Sequence, residues 1–140
     1  MKRRVRKLLT KLSPLRVHRV PIRLLPKLRQ RLEEDGWKVF VLPDGISDHD
    51  SFVGAATALF PLDPPWYGNS WDAFADCLWE GLYELPDQRI AILWPDTTLR
   101  IPDPKTYELA LSVFDQVSEE LADSRATLGR PKEVAVVVGT

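Results

Sequence analysis

The sequence predicts an α/β fold: a small three-stranded parallel sheet packed with three helices, preceded by an N-terminal helical extension. Three apolar runs, 37–42, 89–94 and 134–138, are rich in the β-branched and aromatic residues that strands prefer. Helical patterns separate them in the order βααβαβ, which is typical of parallel strands joined by crossover helices. The second run is apolar almost throughout, which indicates a sheet covered on both faces.

Composition places the chain among globular proteins. Its 140 residues suffice for one domain with a modest core, and 44% apolar and 28% charged residues are ordinary values. The single cysteine, Cys77, excludes an internal disulfide and indicates a reducing compartment, so we expect a cytoplasmic protein in which Cys77 is a small buried side chain. No run approaches the ~20 apolar residues of a membrane span, and residues 1–10 lack the apolar core of a signal peptide.

Charge is divided unevenly along the chain. Residues 1–36 hold twelve Lys and Arg against three acidic residues, a net charge of +9, whereas residues 37–140 hold seven against seventeen, a net charge of −10. Such asymmetry indicates different partners for the two parts. The acidic part suits a basic partner, while the basic part suits nucleic acid, a membrane surface or the acidic part itself.

The extension, 1–36, contains one predicted helix. Residues 22–35 follow a helical pattern that Gly36 ends. The leucines that share one face of this helix are Leu24, Leu25, Leu28 and Leu32. The pattern fits an amphipathic helix docked on the 37–140 domain, or an arm that binds nucleic acid or a membrane.

Two of the three domain helices flank the central stretch of the chain. Ser47 and Asp50 form a predicted capping box before the first. The residues on its apolar face are Phe52, Val53, Ala56, Leu59 and Phe60. The other is predicted over 104–122, with the inward residues Tyr107, Ala110, Leu111, Phe114 and Leu121.

The central stretch, 60–82, is a stiff aromatic loop that leads into a helix. Two prolines restrict the backbone before Trp66, and Gly68 permits a turn with positive φ. Asn69 or Ser70 caps a helix that should end near Gly81. We expect the loop to present Trp66 and Tyr67 to solvent.

The predicted central helix has two unlike faces. The apolar face holds Trp71, Phe74, Ala75, Leu78 and Leu82, and the opposite stripe holds Asp72, Asp76, Glu80 and Tyr83. Carboxylates four residues apart repel one another, so this stripe has no local benefit. Asp72 is explained by a capping box if Asn69 is the N-cap, and Asp76 by a solvated face; the alternative for both is contact with a partner.

The run from Trp66 to Leu78 resembles the signature of the barstar family, small intracellular inhibitors of secreted barnase-type ribonucleases. The residues kept are Tyr67, Gly68, Asp72, Ala73, Asp76, Cys77 and Leu78. Trp66 replaces the usual Tyr, and Ser70 the usual Asn. The resemblance covers residues 37–140 and implies a barstar-like fold.

The resemblance also implies a mechanism and a site. A barstar-like inhibitor places a carboxylate where the nuclease would bind phosphate. Asp76 would be that anchor, Asp72 would support it, and Trp66 would pack against the enzyme's catalytic residues. The expected partner is a basic, barnase-type ribonuclease. The nuclease-binding residues expected on this basis are Trp66, Tyr67, Gly68, Asn69, Asp72, Ala73, Asp76 and Glu80.

The last helix departs from the family pattern. The acid that the family carries two residues after a Val-Phe pair is Gln116 here. Asp115 and Glu120 are candidates to replace it. We therefore expect a secondary contact that involves Asp115, Gln116 or Glu120.

Catalytic and metal-binding patterns are mostly absent from the sequence. Asp72 and Asp76 have the residue type of an acid/base pair, but they lie on a convex helix face with no basic or nucleophilic group nearby in sequence. His18 and His49 share no metal-ligand spacing with each other or with Cys77, and no glycine-rich phosphate loop is present. We expect no cofactor, no metal and no enzymatic activity, and a solvated His49. The alternative function is a non-inhibitory interaction module whose basic N-terminus, residues 1–36, binds nucleic acid or another protein.

Overall fold

A computed structural model describes residues 17–140, so the expectations for residues 1–16 lie outside it. Within the described part, one sheet has four parallel strands in the order β1-β4-β3-β2. The strands are β1 (Val17–Val20), β2 (Lys38–Val41), β3 (Arg89–Trp94) and β4 (Glu133–Gly139). The parallel sheet is therefore confirmed, but its predicted strand count is wrong.

The additional strand, β1, comes from the extension. It pairs with β4, with Val17 opposite Val136 and Val20 opposite Gly139. The Thr140 N–H donates to the Val20 carbonyl over 2.9 Å, which continues the pairing past the end of β4. Only two valines flank His18 and Arg19 in this strand, so its sequence carries too little apolar pattern to predict it.

Four α-helices accompany the sheet within residues 17–140, and they correspond to the three predicted domain helices and the predicted helix of the extension. They are α1 (Leu25–Glu34), α2 (His49–Leu59), α3 (Trp71–Tyr83) and α4 (Pro104–Ala122). A 3₁₀ turn, Ile22–Leu24, precedes α1, and Gly36 follows it with φ of 86°. This backbone conformation suits glycine, so Gly36 ends the helix as expected.

Helix α1 covers one face of the sheet. Leu25, Leu28 and Leu32 are buried against β3 and β4. The strand residues that they meet are Ala91, Leu93 and Val137. The docked interpretation of this helix is therefore confirmed.

The other three helices cover the opposite face. The alternate residues of β3, Ile90, Ile92 and Trp94, point into a larger core that includes Phe74 and Phe114. Successive side chains of β3 point to opposite faces of the sheet, and both faces are covered by helices, so even- and odd-numbered residues are buried in different cores. This is the two-sided burial that its apolar run predicts.

We expect Leu28→Ala to lower the free energy of unfolding by about 2–5 kcal/mol, because the cavity would open between α1 and the sheet. Leu28 is fully buried. Gln30→Ala is the matched control, since Gln30 lies exposed on the same helix. Chemical denaturation of both variants measures the difference. Equal denaturation midpoints for the two variants would show that α1 does not dock on the sheet in solution.

Candidate functional site

The loop before α3 sets how that helix begins. Gly68 has φ of 80°, as its predicted turn requires. The Ala73 N–H donates to Ser70 Oγ over 3.0 Å, which makes Ser70 the N-cap rather than Asn69. Asp72 is then the second helical residue, not the third that a capping box needs. Its carboxylate still lies near the positive end of the helix.

Helix α3 continues past Gly81 and ends at Tyr83. Gly81 does not terminate the helix; it lets another segment approach. A Cβ at this position would collide with the Pro61 carbonyl group. The helix thus ends two residues from the predicted position, but Gly81 is not its C-cap, because close packing of the loop explains this glycine instead.

The cap of α2 lies one residue away from its predicted position. Asp48 is the N-cap: the Ser51 N–H donates to Asp48 Oδ1 over 2.8 Å, and the Asp48 N–H donates to Ser51 Oγ over 3.0 Å. The predicted box of Ser47 and Asp50 is wrong. The bond from the Ser51 backbone holds the pKa of Asp48 below its usual value. This cap fixes His49 as the first residue of α2.

His49 lies beneath the aromatic loop and is not solvated as expected. Its Nε2 is 3.1 Å from the Gly68 carbonyl oxygen. That oxygen can only accept, so the Nε2–H donates to it. The imidazole also makes edge contacts with Trp71, at 5.5 Å between ring centres, and with Trp66, at 6.3 Å. His49 therefore ties the loop to α2.

Trp66 is buried, with only 2% of its surface exposed. It stacks on Phe74 at 4.4 Å between ring centres, and its indole N–H donates to the Ser70 carbonyl over 3.0 Å. The expectation that Trp66 faces solvent is wrong, because its ring fills the core beneath the loop. Tyr67 is 83% exposed, so it is the aromatic side chain that this loop presents.

The two predicted faces of α3 are present. Phe74, Leu78 and Leu82 are fully buried. On the opposite side Asp72, Asp76 and Glu80 are exposed. Tyr83, predicted on the same stripe, is half-buried because it stacks on Trp79 at 4.8 Å between ring centres and bonds to a neighbouring loop.

The three exposed carboxylates of α3 form no ion pair with any residue of the described range 17–140. All ion pairs found within residues 17–140 lie on or at the end of α1: Arg29–Glu33, Arg31–Glu34 and Arg31–Asp35. Asp72, Asp76 and Glu80 thus form a row of negative charge that no ion pair within the described residues compensates, and we call it the acidic row. Gly68, Asn69 and Ala73 lie at its N-terminal end; Asn69 is exposed, and the other two are partly exposed.

Cys77 is buried directly beside the acidic row, as predicted. Burial raises the pKa of its thiol, and the negative charge of Asp76 raises it further. The thiol is therefore held in its neutral form, which is a poor nucleophile. Cys77 acts here as a small packing side chain rather than as a reactive group.

The expected secondary contact lies on α4. Gln116 is exposed, and its Nε2 donates to Glu120 Oε1 over 3.0 Å. Both side chains border a shallow surface depression, which also includes Glu119 and Asp123. Asp115 is partly buried and does not line this depression. The structure thus brings Gln116 and Glu120 together but leaves Asp115 apart.

Residues 17–140 contain neither a cluster of metal ligands nor a membrane-spanning helix. No group of three or more His, Cys, Asp or Glu side chains in this range is placed to hold a metal ion. None of the helices described there is long and apolar enough to cross a membrane.

The family model described as Barstar (barnase inhibitor) matches residues 37–134. The chain belongs to the barstar family. A search of curated proteins and a search of solved structures each return no significant match.

The barstar match begins at Trp37, so it includes the acidic row and the loop of Tyr67 but not β1 or α1. Whether the chain divides into two units at residue 36 stays a prediction. Residues 17–36 add a strand and a helix to the same sheet that carries the barstar region.

Alanine substitutions at Trp66 and Tyr67 test which of the two rings packs in the core and which is exposed for contact with a partner. Trp66→Ala should lower the free energy of unfolding by about 3–5 kcal/mol, because it removes a buried ring. Tyr67→Ala should change that free energy by less than about 0.5 kcal/mol, because the side chain is exposed. Thermal and chemical denaturation of both variants test this pair. If Tyr67→Ala proves the more destabilising, the assignment of the two rings is reversed.

Proposed function

We propose that this chain inhibits a barnase-type, guanyl-specific ribonuclease by placing the Asp76 carboxylate in the enzyme's phosphate-binding site. The observation that carries the proposal is the acidic row: in a barstar-family chain, Asp76 is exposed at its centre and forms no ion pair within residues 17–140. The carboxylates of the acidic row repel one another along the helix, and a cationic partner would offset that repulsion.

The chemistry of the target explains why a carboxylate would serve. An enzyme that cleaves a phosphodiester needs cationic groups around the phosphate in the transition state. A carboxylate accepts charge-assisted hydrogen bonds from the same Arg and Lys side chains. It therefore competes for the active site without offering a bond to cleave.

The position of the Asp76 backbone is fixed by helix packing before any partner binds. Asp76 lies in the middle of α3, whose inner face is locked in the core through Phe74 and Leu78. Asp72 and Glu80 lie one turn away on either side, about 6 Å along the helix axis. A carboxylate on a packed helix loses little backbone freedom on binding, which lowers the entropic cost of association.

In this proposal Tyr67, and not Trp66 as expected from the sequence, is the aromatic side chain that contacts the enzyme. Trp66 supports the loop from below, whereas Tyr67 projects from it next to the N-terminal end of the acidic row. An exposed tyrosine presents a large, stiff surface at small entropic cost. The net charge of −10 in residues 37–140 would also speed association with a basic enzyme at low salt.

The test is a titration of barnase with the wild-type chain and with Asp76→Ala, by calorimetry and by inhibition of RNA cleavage. Asp76→Ala should weaken binding by about 2–5 kcal/mol, the range found when one partner of a buried interfacial charge pair is removed, in the prototype complex of this family among others. Its free energy of unfolding should barely change, because Asp76 is exposed.

Glu34→Ala is the matched control. It makes the same change in net charge on α1, which packs against the other face of the sheet. Binding of this variant should equal that of the wild-type chain. The proposal fails if the wild-type chain does not inhibit the enzyme, and the role of Asp76 fails if its variant binds as tightly as the control.

The second candidate function is nucleic-acid binding through the basic residues 1–36. One observation favours it: Arg19, Arg23 and Lys27 are exposed and form no ion pair within residues 17–140. RNA binding of this kind weakens steeply as salt is raised. We expect the triple variant Arg19→Gln, Arg23→Gln, Lys27→Gln to bind single-stranded RNA more weakly and with a shallower salt dependence, as measured by fluorescence anisotropy. Identical salt dependence in the variant and the wild-type chain would exclude these three side chains.

A further inference from the structure

The loop between α4 and β4 holds an exposed leucine in an unfavourable backbone conformation. Leu128 is 86% exposed and has φ of 54°. It is the one residue other than glycine with positive φ among residues 17–140. Left-handed backbone is disfavoured for a side chain with a Cβ, and glycine or asparagine usually occupies it. A single exposed apolar residue is ordinary, but one kept in a strained conformation calls for a reason.

The loop is fixed by its own hydrogen bonds. Thr127 donates through both its N–H and its Oγ1 to the Asp123 carbonyl, over 3.1 and 2.8 Å. The Gly129 N–H donates to the Ser124 carbonyl over 2.7 Å. Leu128 is therefore presented by an ordered turn, and its conformation is imposed by the residues on either side.

A bond from α3 places this turn next to the acidic row. Tyr83 Oη donates to the Thr127 carbonyl over 2.8 Å, and the Arg130 guanidinium lies 5.5 Å from the centre of the Tyr83 ring. Tyr83 is on the stripe of α3 that carries Asp76, seven residues further along. That separation is about 10 Å along the helix axis.

A protein interface of ordinary size reaches this far. It covers about 800 Å² on each partner, which corresponds to a patch about 30 Å across. A nuclease centred on Asp76 would therefore extend over the C-terminal end of α3 and meet the turn that carries Leu128. Tyr67 lies beyond the opposite end of the helix, so the acidic row would have an exposed apolar or aromatic side chain near each end.

We propose that Leu128 is a contact residue for the same nuclease and helps to select which nuclease the chain binds, by filling an apolar depression beside the enzyme's active site. This inference rests on the proposed function. Charge alone steers many basic proteins to the acidic row, whereas an apolar side chain at a fixed distance from Asp76 requires a matching surface. The strain at Leu128 is then retained because a less strained residue would lose that contact.

The experiment compares Leu128→Asn with Leu128→Met. Asparagine tolerates left-handed backbone and has a similar length, but it is polar; methionine keeps the apolar contact and the strain. We expect Leu128→Asn to bind barnase about tenfold to a hundredfold more weakly, the factor for losing the burial of one leucine. Its melting temperature should be equal to or higher than that of the wild-type chain. Leu128→Met should bind within about threefold of the wild-type chain.

Ile22→Asn is the control, because Ile22 is 50% exposed next to α1 on the other side of the sheet. It should leave affinity unchanged. If Leu128→Asn melts higher and binds as tightly as this control, Leu128 makes no contact and the inference is overturned. A wild-type chain that does not bind barnase overturns the proposed function itself, which is a separate result. A change from dimer to monomer in Leu128→Asn, seen by sedimentation, would instead identify a second copy of the chain as the occupant and also overturn the inference.

Discussion

The contact between the aromatic loop and the core is the constraint on which the rest of the site depends. The stacking of Trp66 on Phe74 fixes the loop to α3, and the hydrogen bond from His49 to Gly68 fixes the same loop to α2. Val53 of α2 also packs closely under Gly68, where a Cβ would lie only 2.9 Å from a Val53 methyl carbon. Glycine is thus required there twice, by its φ and by the space. These buried groups fix the position of the N-terminal end of α3, and with it the position of the exposed face.

Much of the fold can be predicted from the spacing of apolar residues and from the residues that begin or end helices and strands. Helix α4 begins and ends where the pattern predicts, since Pro104 suits a first helical turn and the apolar period runs unbroken to its end. Strand β3 is equally clear from its apolar run. Strand β1 is not, because four residues with His18 and Arg19 at their centre become a strand only by pairing with β4. That pairing joins residues more than a hundred positions apart, and no local signal reports it.

In the candidate site, too, a local sequence pattern predicts some features and not others. The exposure of Asp72 and Asp76 follows from the helical period, which separates their stripe from Phe74. The burial of Trp66 does not, because a loop has no period that assigns a side chain to a face. Trp66 and Tyr67 are adjacent in this loop, and nothing in the sequence indicates which of the two rings packs inward. A partner for the Trp66 indole N–H, found at the Ser70 carbonyl, is visible only in three dimensions.

The two sides of the sheet are subject to different requirements. The side with α2, α3 and α4 must keep uncompensated carboxylates exposed, so the apolar surface that stabilises it has to lie beneath them. The side with α1 carries every ion pair found in residues 17–140, and these pairs join Arg29 and Arg31 to the acidic residues at the end of the helix. Such exposed pairs add little stability, so the contribution of α1 comes chiefly from its buried leucines. Because that contribution is made on the far side of the sheet, it can offset the repulsion within the acidic row without placing a cation near Asp76. On this reasoning the extension supports the proposed function through stability, although none of its described residues lies at the site.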